Sequence, residues 1–162
     1  MELYLVRHAI AEPRGGTDDA LRDLTEEGSA RLRAAAAGLQ RLDVEVEAVL
    51  SSPYRRAWRT ATILREEIGW PAPERLDALA ATASPADCLE ALGARSERSL
   101  ALVGHEPHLS GLASLLLAGD ERSVRLDLRK AGVLCLDLAR PDPGSATLRW
   151  LATPRMLRRL GR

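Results

Sequence analysis

The stretch LVRHAIAE, residues 5–12, sets an arginine and a histidine at the end of a short apolar strand. Two further stretches, AVLSSPYRRA at 48–57 and ALVGHEPHLS at 101–110, also run an apolar strand through small residues and a proline into a helical pattern. In open α/β sheets, ligands bind at the carboxyl ends of the strands, where helix N-termini offer free N–H groups. The three stretches therefore predict one shared site, formed by Arg7, His8, Arg56 and His105.

Two histidines and two arginines at such an edge are typical of a phosphate site that contains a nucleophile. Neutral His8 can attack phosphorus through a ring nitrogen, and neighbouring guanidinium groups disfavour its protonation. Arg7 and Arg56 can hold phosphoryl oxygens through forked hydrogen bonds and stabilise charge in the transition state. His105 can donate to a phosphoryl oxygen. One histidine alone would be explained by a capping or core role, so the prediction depends on the combination.

The spacing after the second strand selects one arginine from a run of several. We expect Ser52 to cap a helix that starts at Pro53, which places Arg56 in the first turn, close to the strand ends. Arg55 then lies about 100° and Arg59 about 60° from Arg56 around the helix axis, and we expect both in solvent.

Arg22 is a further candidate for substrate binding. It lies in LRDLTEEG at 21–28, ahead of the first predicted helix, and can reach the same site. The alternative, which the sequence leaves open, is a surface ion pair with Asp19 or Asp23.

Length and composition favour a globular enzyme. The chain of 162 residues has the size of one domain, and we expect residues 1–162 to form it. Apolar residues make up 46% and charged residues 28%, which argues against a disordered or a membrane protein. The net charge of zero argues against a nucleic-acid-binding protein. The first residues form a predicted strand rather than a signal peptide, so we expect a cytoplasmic protein.

Strand-like runs and helical patterns alternate along the chain. Runs rich in Val, Leu and Ile lie at 2–6, 47–51, 99–103, 132–138 and 146–151. Helical patterns lie between them: one is capped by Thr25, and the others cover 53–68, 85–92 and 107–117. This order predicts an α/β fold, a three-layer αβα sandwich with a mostly parallel sheet, in which the last two strands form an antiparallel edge.

The sequence predicts no metal or other cofactor. The pair His105 and His108 in HEPH is a weak metal motif, because its spacing differs from HExxH and we expect Pro107 to start a helix between the two. We find no cluster of carboxylates suited to Mg²⁺ and no plausible zinc set. The basic tail PRMLRRLGR at 154–162 is explained as a solvated helix end.

These motifs together resemble the histidine phosphatase superfamily, which includes phosphoglycerate mutases and acid phosphatases and carries Arg-His-Gly at the end of its first strand. Within it, the chain looks like the SixA-type phosphohistidine phosphatases. The similar segments are LVRHAIAE, R-x-L-T-x-x-G at 22–28, V-L-S-S-P-x-x-R-A-x-x-T at 49–60, A-S-P at 83–85 and L-V-G-H-E-P-x-L-S at 102–110. The resemblance implies a phosphoglycerate mutase-like fold, with His8 as the phosphorylated nucleophile in a pocket formed by Arg7, Arg56 and His105.

Two departures from the family pattern bear on the substrate. Ala9 replaces the usual glycine and slightly narrows the room beside the phosphate. Mutases and acid phosphatases carry an acid that protonates the leaving oxygen; here the matching region, 73–85, is short and offers only Glu74 and Asp77, which we expect at a strand edge. Imidazole, with a pKa of about 6.5, can leave as a neutral group, whereas an alcohol oxyanion needs a proton. The missing acid therefore favours phosphohistidine.

We expect a phosphatase, a monomer without nucleic-acid or membrane partners, that acts on phosphohistidine in a phosphotransfer protein or another phosphoprotein. A small phosphate ester is the alternative substrate, with Glu74, Asp77 or Glu106 as the acid. A non-catalytic phosphate-binding module is a third interpretation. His8 and His105 argue against it, because binding alone would need only the arginines.

Overall fold

The computed structural model describes residues 1–16 and 18–162. It contains one six-stranded sheet with helices on both faces. The strands are β1 (Glu2–Arg7), β2 (Ala48–Ser51), β3 (Pro73–Arg75), β4 (Ser99–Gly104), β5 (Val133–Leu138) and β6 (Ala146–Ala152). The helices are α1 (Glu26–Arg41), α2 (Arg55–Ile68), α3 (Pro85–Gly93), α4 (His108–Ala118) and α5 (Pro154–Leu160), with short 3-10 turns at Asp19–Leu21 and Asp77–Leu79.

The strand order across the sheet is β3-β2-β4-β1-β5-β6. The first four strands of the chain run parallel to one another, whereas β5 is antiparallel to β1 and β6 is antiparallel to β5. This confirms the predicted α/β sandwich with its antiparallel edge. Because β2, β4 and β1 are neighbours, the residues that follow their carboxyl ends lie side by side.

Alternating side chains of the central strand divide the interior into two cores. Leu3 and Leu5 of β1 point toward the face covered by α3 and α4, whereas Tyr4 and Val6 point toward the face covered by α1, α2 and α5. All four side chains are buried, as expected for a strand with helices on both faces. The strand ahead of the candidate nucleophile therefore has little freedom to shift.

Hydrogen bonds join the start of α1 to the segment that follows β1. Thr25 caps α1 as predicted, since its Oγ1 accepts from the Gly28 N–H at 2.9 Å. The Thr25 N–H in turn donates to the Ile10 carbonyl at 3.0 Å. A Cβ on Gly28 would lie 2.1 Å from the Ile10 oxygen, so only glycine allows the helix to start so close to that segment. These contacts hold the residues that follow His8 against the start of α1.

Two helices begin later than the sequence predicts. Tyr54 is the N-cap of α2, which begins at Arg55, and its extended backbone (φ −69°, ψ 133°) keeps the preceding residues outside the helix. Ser52 therefore does not cap α2, and the prediction of a helix starting at Pro53 is wrong. Likewise, Pro107 is the N-cap of α4 rather than its first residue.

The region between α2 and α3 also differs from the prediction. Glu74 belongs to the short edge strand β3, which pairs with β2 alone, so its three residues lack the apolar pattern of a buried strand. Asp77 lies in a 3-10 turn rather than at a strand edge. Among the described helices, none is both long and apolar enough to cross a membrane.

Candidate functional site

The carboxyl ends of β1, β4 and β2 border a cavity of about 350 Å³, here called the reaction cavity. Backbone hydrogen bonds fix the residues that follow the strands: the His8 N–H donates to the Gly104 carbonyl at 3.0 Å and the Ser52 N–H to the Val103 carbonyl at 2.9 Å. The candidate residues predicted from the sequence all line this cavity: Arg7, His8, Arg22, Arg56 and His105.

The two ring nitrogens of the buried His8 have different partners. Nδ1 lies 2.7 Å from the Ala9 carbonyl oxygen, which can only accept, so Nδ1 carries the proton. Nε2 lies 3.3 Å from Nε of Arg56, which can only donate, so Nε2 presents a lone pair. These contacts select the neutral tautomer with an unprotonated Nε2 beside a guanidinium group.

Both histidines of the cavity are held in the neutral form. Burial lowers the pKa of His8 to about 4; the charges of Arg56 and Arg7 reinforce this shift, while the Ala9 carbonyl opposes it. Burial likewise lowers the pKa of His105 to about 3, and the neighbouring His8 and Arg56 contribute. The ring centroids of the two histidines are 5.0 Å apart. An unprotonated imidazole is the form that can act as a nucleophile.

Arg56 lies in the first turn of α2 and is only 3% exposed. Besides the contact to His8, its Nη1 donates to the Asp19 carbonyl at 2.6 Å and its Nη2 to the Asp19 carboxylate at 3.0 Å. Arg55 and Arg59 are exposed, as predicted. The guanidinium group of Arg56 is thus fixed between the candidate nucleophile and an acidic side chain.

Arg22 reaches the cavity and also makes the ion pair that the sequence left as an alternative. Its Nε donates to Oδ1 of Asp19 at 2.8 Å, and its Nη1 donates to the Glu12 carbonyl at 2.6 Å. Burial raises the pKa of the Asp19 carboxyl, but hydrogen bonds from Arg22 and Arg56 outweigh it and hold that pKa below its usual value. The ionised Asp19 therefore orients both guanidinium groups.

His105 is oriented by Ser52 and Tyr54. Its Nε2 lies 2.8 Å from Ser52 Oγ, and its ring centroid lies 5.1 Å from that of Tyr54. Its Nδ1 is buried and has no hydrogen-bond partner among the described residues. A buried polar atom without a partner is costly. When the Ser52 hydroxyl donates to Nε2, Nδ1 carries the proton of the neutral ring.

Several contributions to the site were missed by sequence reasoning. Ser52 contacts His105 instead of capping a helix, and Asp19 holds two arginines. Thr60 accepts from the Ala9 N–H at 3.1 Å and donates to the Arg56 carbonyl at 2.8 Å, which connects α2 to the residue that follows His8. The only sequence feature that could have indicated this role is the position of Thr60 one helical turn after Arg56. Lys130 reaches the cavity from far along the chain, where no local pattern marks it.

Two of the three acids that the sequence offered lie outside the cavity. Glu74 pairs with Arg95 at 3.1 Å, and Asp77 pairs with Arg75 at 2.7 Å, with both carboxylates largely in solvent. Neither lines the reaction cavity, so neither is placed to donate a proton there.

Glu106, the residue behind His105, does line the reaction cavity. Its Oε1 is fully buried and has no hydrogen-bond partner among the described residues. Burial raises the pKa of this carboxyl and outweighs the opposing influence of Ser110 and of the Arg7 charge. A carboxyl group with a raised pKa can hold a proton and donate it. Of the three acids that the sequence offered, Glu106 is therefore the one that borders the cavity.

The residues of the HEPH motif do not converge on a metal site. His105 lines the reaction cavity, whereas His108 is buried at the start of α4 and lines a neighbouring cavity. In the part of the chain that the structure describes, no three His, Cys, Asp or Glu side chains are grouped so that they could hold a metal ion.

Known proteins resemble both the sequence and the structure. A family model for the histidine phosphatase superfamily (branch 1) matches residues 3–81. An uncharacterized protein of Picosynechococcus sp. is 37% identical over 140 residues, which cover 84% of each chain. The structure of the protein histidine phosphatase SixA complexed with tungstate matches with a TM-score of 0.83 and 25% identity, over 96% of this chain and 98% of that one. The alpha-ribazole phosphatase of Shigella flexneri matches with a TM-score of 0.69 and 18% identity, over 95% and 97%.

The depressed pKa values of the histidines predict an unusual titration. A solvated histidine becomes protonated below about pH 6.5, whereas His8, with a pKa of about 4, should stay neutral at about pH 5 and keep its proton on Nδ1. Long-range ¹⁵N–¹H spectra recorded between about pH 7 and pH 5 distinguish the two tautomers and the imidazolium. Assignment uses the spectrum of His8→Ala. A midpoint near the solvated value would contradict the buried, neutral nucleophile.

The position of Arg56 predicts a large effect of its removal. Arg56→Ala should lower kcat/KM for phosphate substrates by about 30- to 1,000-fold, because a lost charge-assisted donor costs about 2–4 kcal/mol in the transition state. Arg55→Ala, one residue away on the exposed side, should change kcat/KM less than about twofold. Thermal unfolding of both variants checks that the fold survives. Similar losses for the two variants would mean that Arg56 has no special place at the phosphate.

Proposed function

The chain belongs to the histidine phosphatase superfamily, and from this premise we propose that it hydrolyses phosphohistidine in another protein through a phosphorylated His8. The observation that carries this proposal is the neutral His8, whose unprotonated Nε2 stands beside the Arg56 guanidinium in a cavity that also contains Arg7 and His105. This arrangement suits attack on a phosphoryl group whose negative charge the arginines offset.

In the first step, Nε2 of His8 attacks phosphorus as the bond from phosphorus to the leaving nitrogen breaks. Arg7 and Arg56 stabilise the charge on the phosphoryl oxygens, and His105, which lines the same cavity, donates to one of them. The electron pair of the broken bond stays on the leaving imidazole, which departs as a neutral group when its other nitrogen carries a proton. The phosphoryl group is then bound to His8.

In the second step, water attacks phosphorus and the bond to Nε2 breaks. His8 leaves as a neutral imidazole because Nδ1 keeps its proton on the Ala9 carbonyl throughout. One proton of the attacking water stays on the new oxygen and the other passes to bulk water, so inorganic phosphate is the product. No acid is needed for either departure, because both leaving groups are imidazoles of moderate basicity.

A phosphohistidine protein is the substrate that we favour. SixA, which matches at 25% identity over nearly the whole chain, is itself a protein histidine phosphatase. The connection from β3 to α3 carries only a 3-10 turn and lines the reaction cavity with the small side chain of Ala81, which leaves room for a side chain presented by another protein. We accordingly propose a monomer that meets a phosphotransfer protein or another phosphoprotein in the cytoplasm.

A small phosphate ester is the second candidate substrate, and one observation favours it. Glu106 places a carboxyl group with a raised pKa at the reaction cavity, where it can protonate a departing alcohol oxygen. The alpha-ribazole phosphatase similarity shows that the fold itself does not decide between the two substrates.

The proposed function predicts that phosphohistidine is the preferred substrate. We expect kcat/KM for a histidine-phosphorylated protein to exceed that for p-nitrophenyl phosphate, and alkyl phosphates to be slower still, because leaving-group basicity rises along the series. His8→Ala should abolish turnover, and acid-labile phosphate should be trapped on His8 of the wild-type protein. An alkyl phosphate that matches the phosphohistidine protein would favour the second candidate.

Substitution of Glu106 tests whether this carboxyl group protonates the leaving group. If Glu106 protonates oxygen leaving groups, Glu106→Gln should lower kcat/KM for alkyl phosphates by about 100-fold or more and for p-nitrophenyl phosphate only slightly, because general acid catalysis matters most for basic leaving groups. Glu74→Gln removes a carboxyl outside the cavity and serves as the control. A uniform loss across the series would assign Glu106 a structural role.

A further inference from the structure

A second cavity of about 790 Å³ adjoins the reaction cavity on the side of α1 and α5. Arg7 and Lys130 line both cavities, so the two adjoin at these residues. Its charged lining side chains are all cationic: Arg7, Arg31, Arg129, Lys130, Arg155 and Arg158. We call these six residues the basic surface. Because the whole chain has a net charge of zero, this concentration of one sign is local.

The loop ahead of β5 places part of this surface directly beside the nucleophile. The Ala131 N–H donates to the carbonyl oxygens of Arg7 and His8, at 3.0 and 3.2 Å. Ala131 has a positive φ of 58°, a backbone conformation that a residue with a Cβ adopts only when its surroundings enforce it. The two preceding residues, Arg129 and Lys130, are therefore held at the rim of the reaction cavity.

The helices place the remaining cations. Arg155 and Arg158 are three residues apart on α5 and so lie on one face of it. A Cβ on Gly38 of α1 would lie 2.1 Å from the Leu157 carbonyl oxygen, which means that α5 packs backbone to backbone against α1. Arg31 of α1 completes the surface. Close packing thus fixes the elements that carry these cations.

The charges of this surface are only partly compensated by the protein itself. Arg31 pairs with Glu27, and Arg129 pairs with Asp127, both at exposed positions where ion pairs contribute little. In the described part of the chain, Lys130, Arg155 and Arg158 make no ion pair. An anionic ligand would lower the repulsion among these cations.

The side of the reaction cavity that faces away from α1 and α5 differs in its charge. There, a cavity of about 520 Å³ shares Glu106 with the reaction cavity and carries charges of both signs, from Glu106, Glu121, Arg122 and Arg125. A net positive charge therefore flanks the phosphate site on the side of α1 and α5, whereas the charges on the other side are mixed. A ligand that spans the site would have a preferred orientation, with its negative groups toward α1 and α5.

We propose that the basic surface binds acidic side chains that flank the phosphohistidine of the protein substrate. This inference rests on the proposed function and adds the charge of the partner. Arg31, Arg129, Lys130 and Arg155 are exposed side chains at the rim, which steer and orient a macromolecule, whereas small-ligand sites hold their ligand with a few buried polar groups. An acidic polypeptide is the occupant that fits this geometry.

Three histidine-phosphorylated peptides of equal length test the proposal, with flanks of Asp and Glu, of Ser and Gly, or of Lys and Arg. At an ionic strength of about 0.01 M, kcat/KM for the acidic peptide should exceed that for the neutral one by about tenfold or more, with the basic peptide slowest. The difference should vanish at about 1 M salt, where the screening length is about 3 Å. Equal values for all three peptides at low salt would overturn the proposal.

Charge reversal locates the effect. The double variant Arg155→Glu with Arg158→Glu should raise KM for the acidic peptide about tenfold or more at unchanged kcat and leave p-nitrophenyl phosphate hydrolysis unaltered. The control, Arg41→Glu with Arg65→Glu, makes the same charge change at the exposed C-terminal ends of α1 and α2 and should leave KM unchanged. Equal effects of the two variants, or equal losses on p-nitrophenyl phosphate, would contradict docking at α5.

A binding measurement distinguishes failure of this inference from failure of the proposed function. If no phosphohistidine peptide is hydrolysed, the proposed function is wrong; fluorescence anisotropy of the labelled, unphosphorylated acidic peptide then still decides whether the basic surface binds it. Loss of that binding in the Arg155 and Arg158 double variant supports the surface, and no binding to the wild type overturns it. A salt-dependent gain for small substrates with a second phosphate, without a gain for the acidic peptide, would assign the surface to small polyanions instead.

Discussion

The hydrogen bond from Nδ1 of His8 to the Ala9 carbonyl is the interaction on which the site depends. It fixes the proton on Nδ1, which points away from Arg56, and leaves Nε2 unprotonated. A solvated imidazole exchanges between its two tautomers and would not keep the proton on one nitrogen. The Ala9 N–H is in turn held by Thr60, so α2 positions the residue that sets the tautomer. The fold thus fixes the tautomer of the candidate nucleophile before any substrate arrives.

Burial and charge act on the site in opposite directions. The arginines that suit a phosphate would repel one another and any protonated histidine, and burial makes every charge more costly. Two features resolve this conflict: the histidines stay neutral, and one carboxylate, Asp19, joins Arg22 to Arg56. Asp19 offsets the guanidinium charges from outside the cavity lining, so it orients the arginines without filling the space for a phosphate.

The sequence predicted what periodicity and strand ends determine, and it missed what depends on contacts between distant segments. His8, Arg56 and His105 follow apolar strands, so their convergence could be expected before the structure was known. Ser52 was assigned to a helix cap because local pattern cannot reveal that His105 competes for its hydroxyl. The edge strand β3 has too few apolar residues to be predicted from the sequence. Lys130 and the role of Glu106 depend on burial, which only tertiary structure supplies.

The antiparallel hairpin at the sheet edge has a consequence for how this protein can diversify. The groups assigned to the chemistry lie between Arg7 and Glu106, whereas the loop before β5 and the helix behind β6 carry most of the basic surface. Strand β5 pairs with β1 through backbone hydrogen bonds that do not depend on side-chain identity. Charge substitutions in the C-terminal third can therefore alter the surface beside the candidate site without changing the residues assigned to the chemistry, as long as the buried side chains of β5 and α5 are kept.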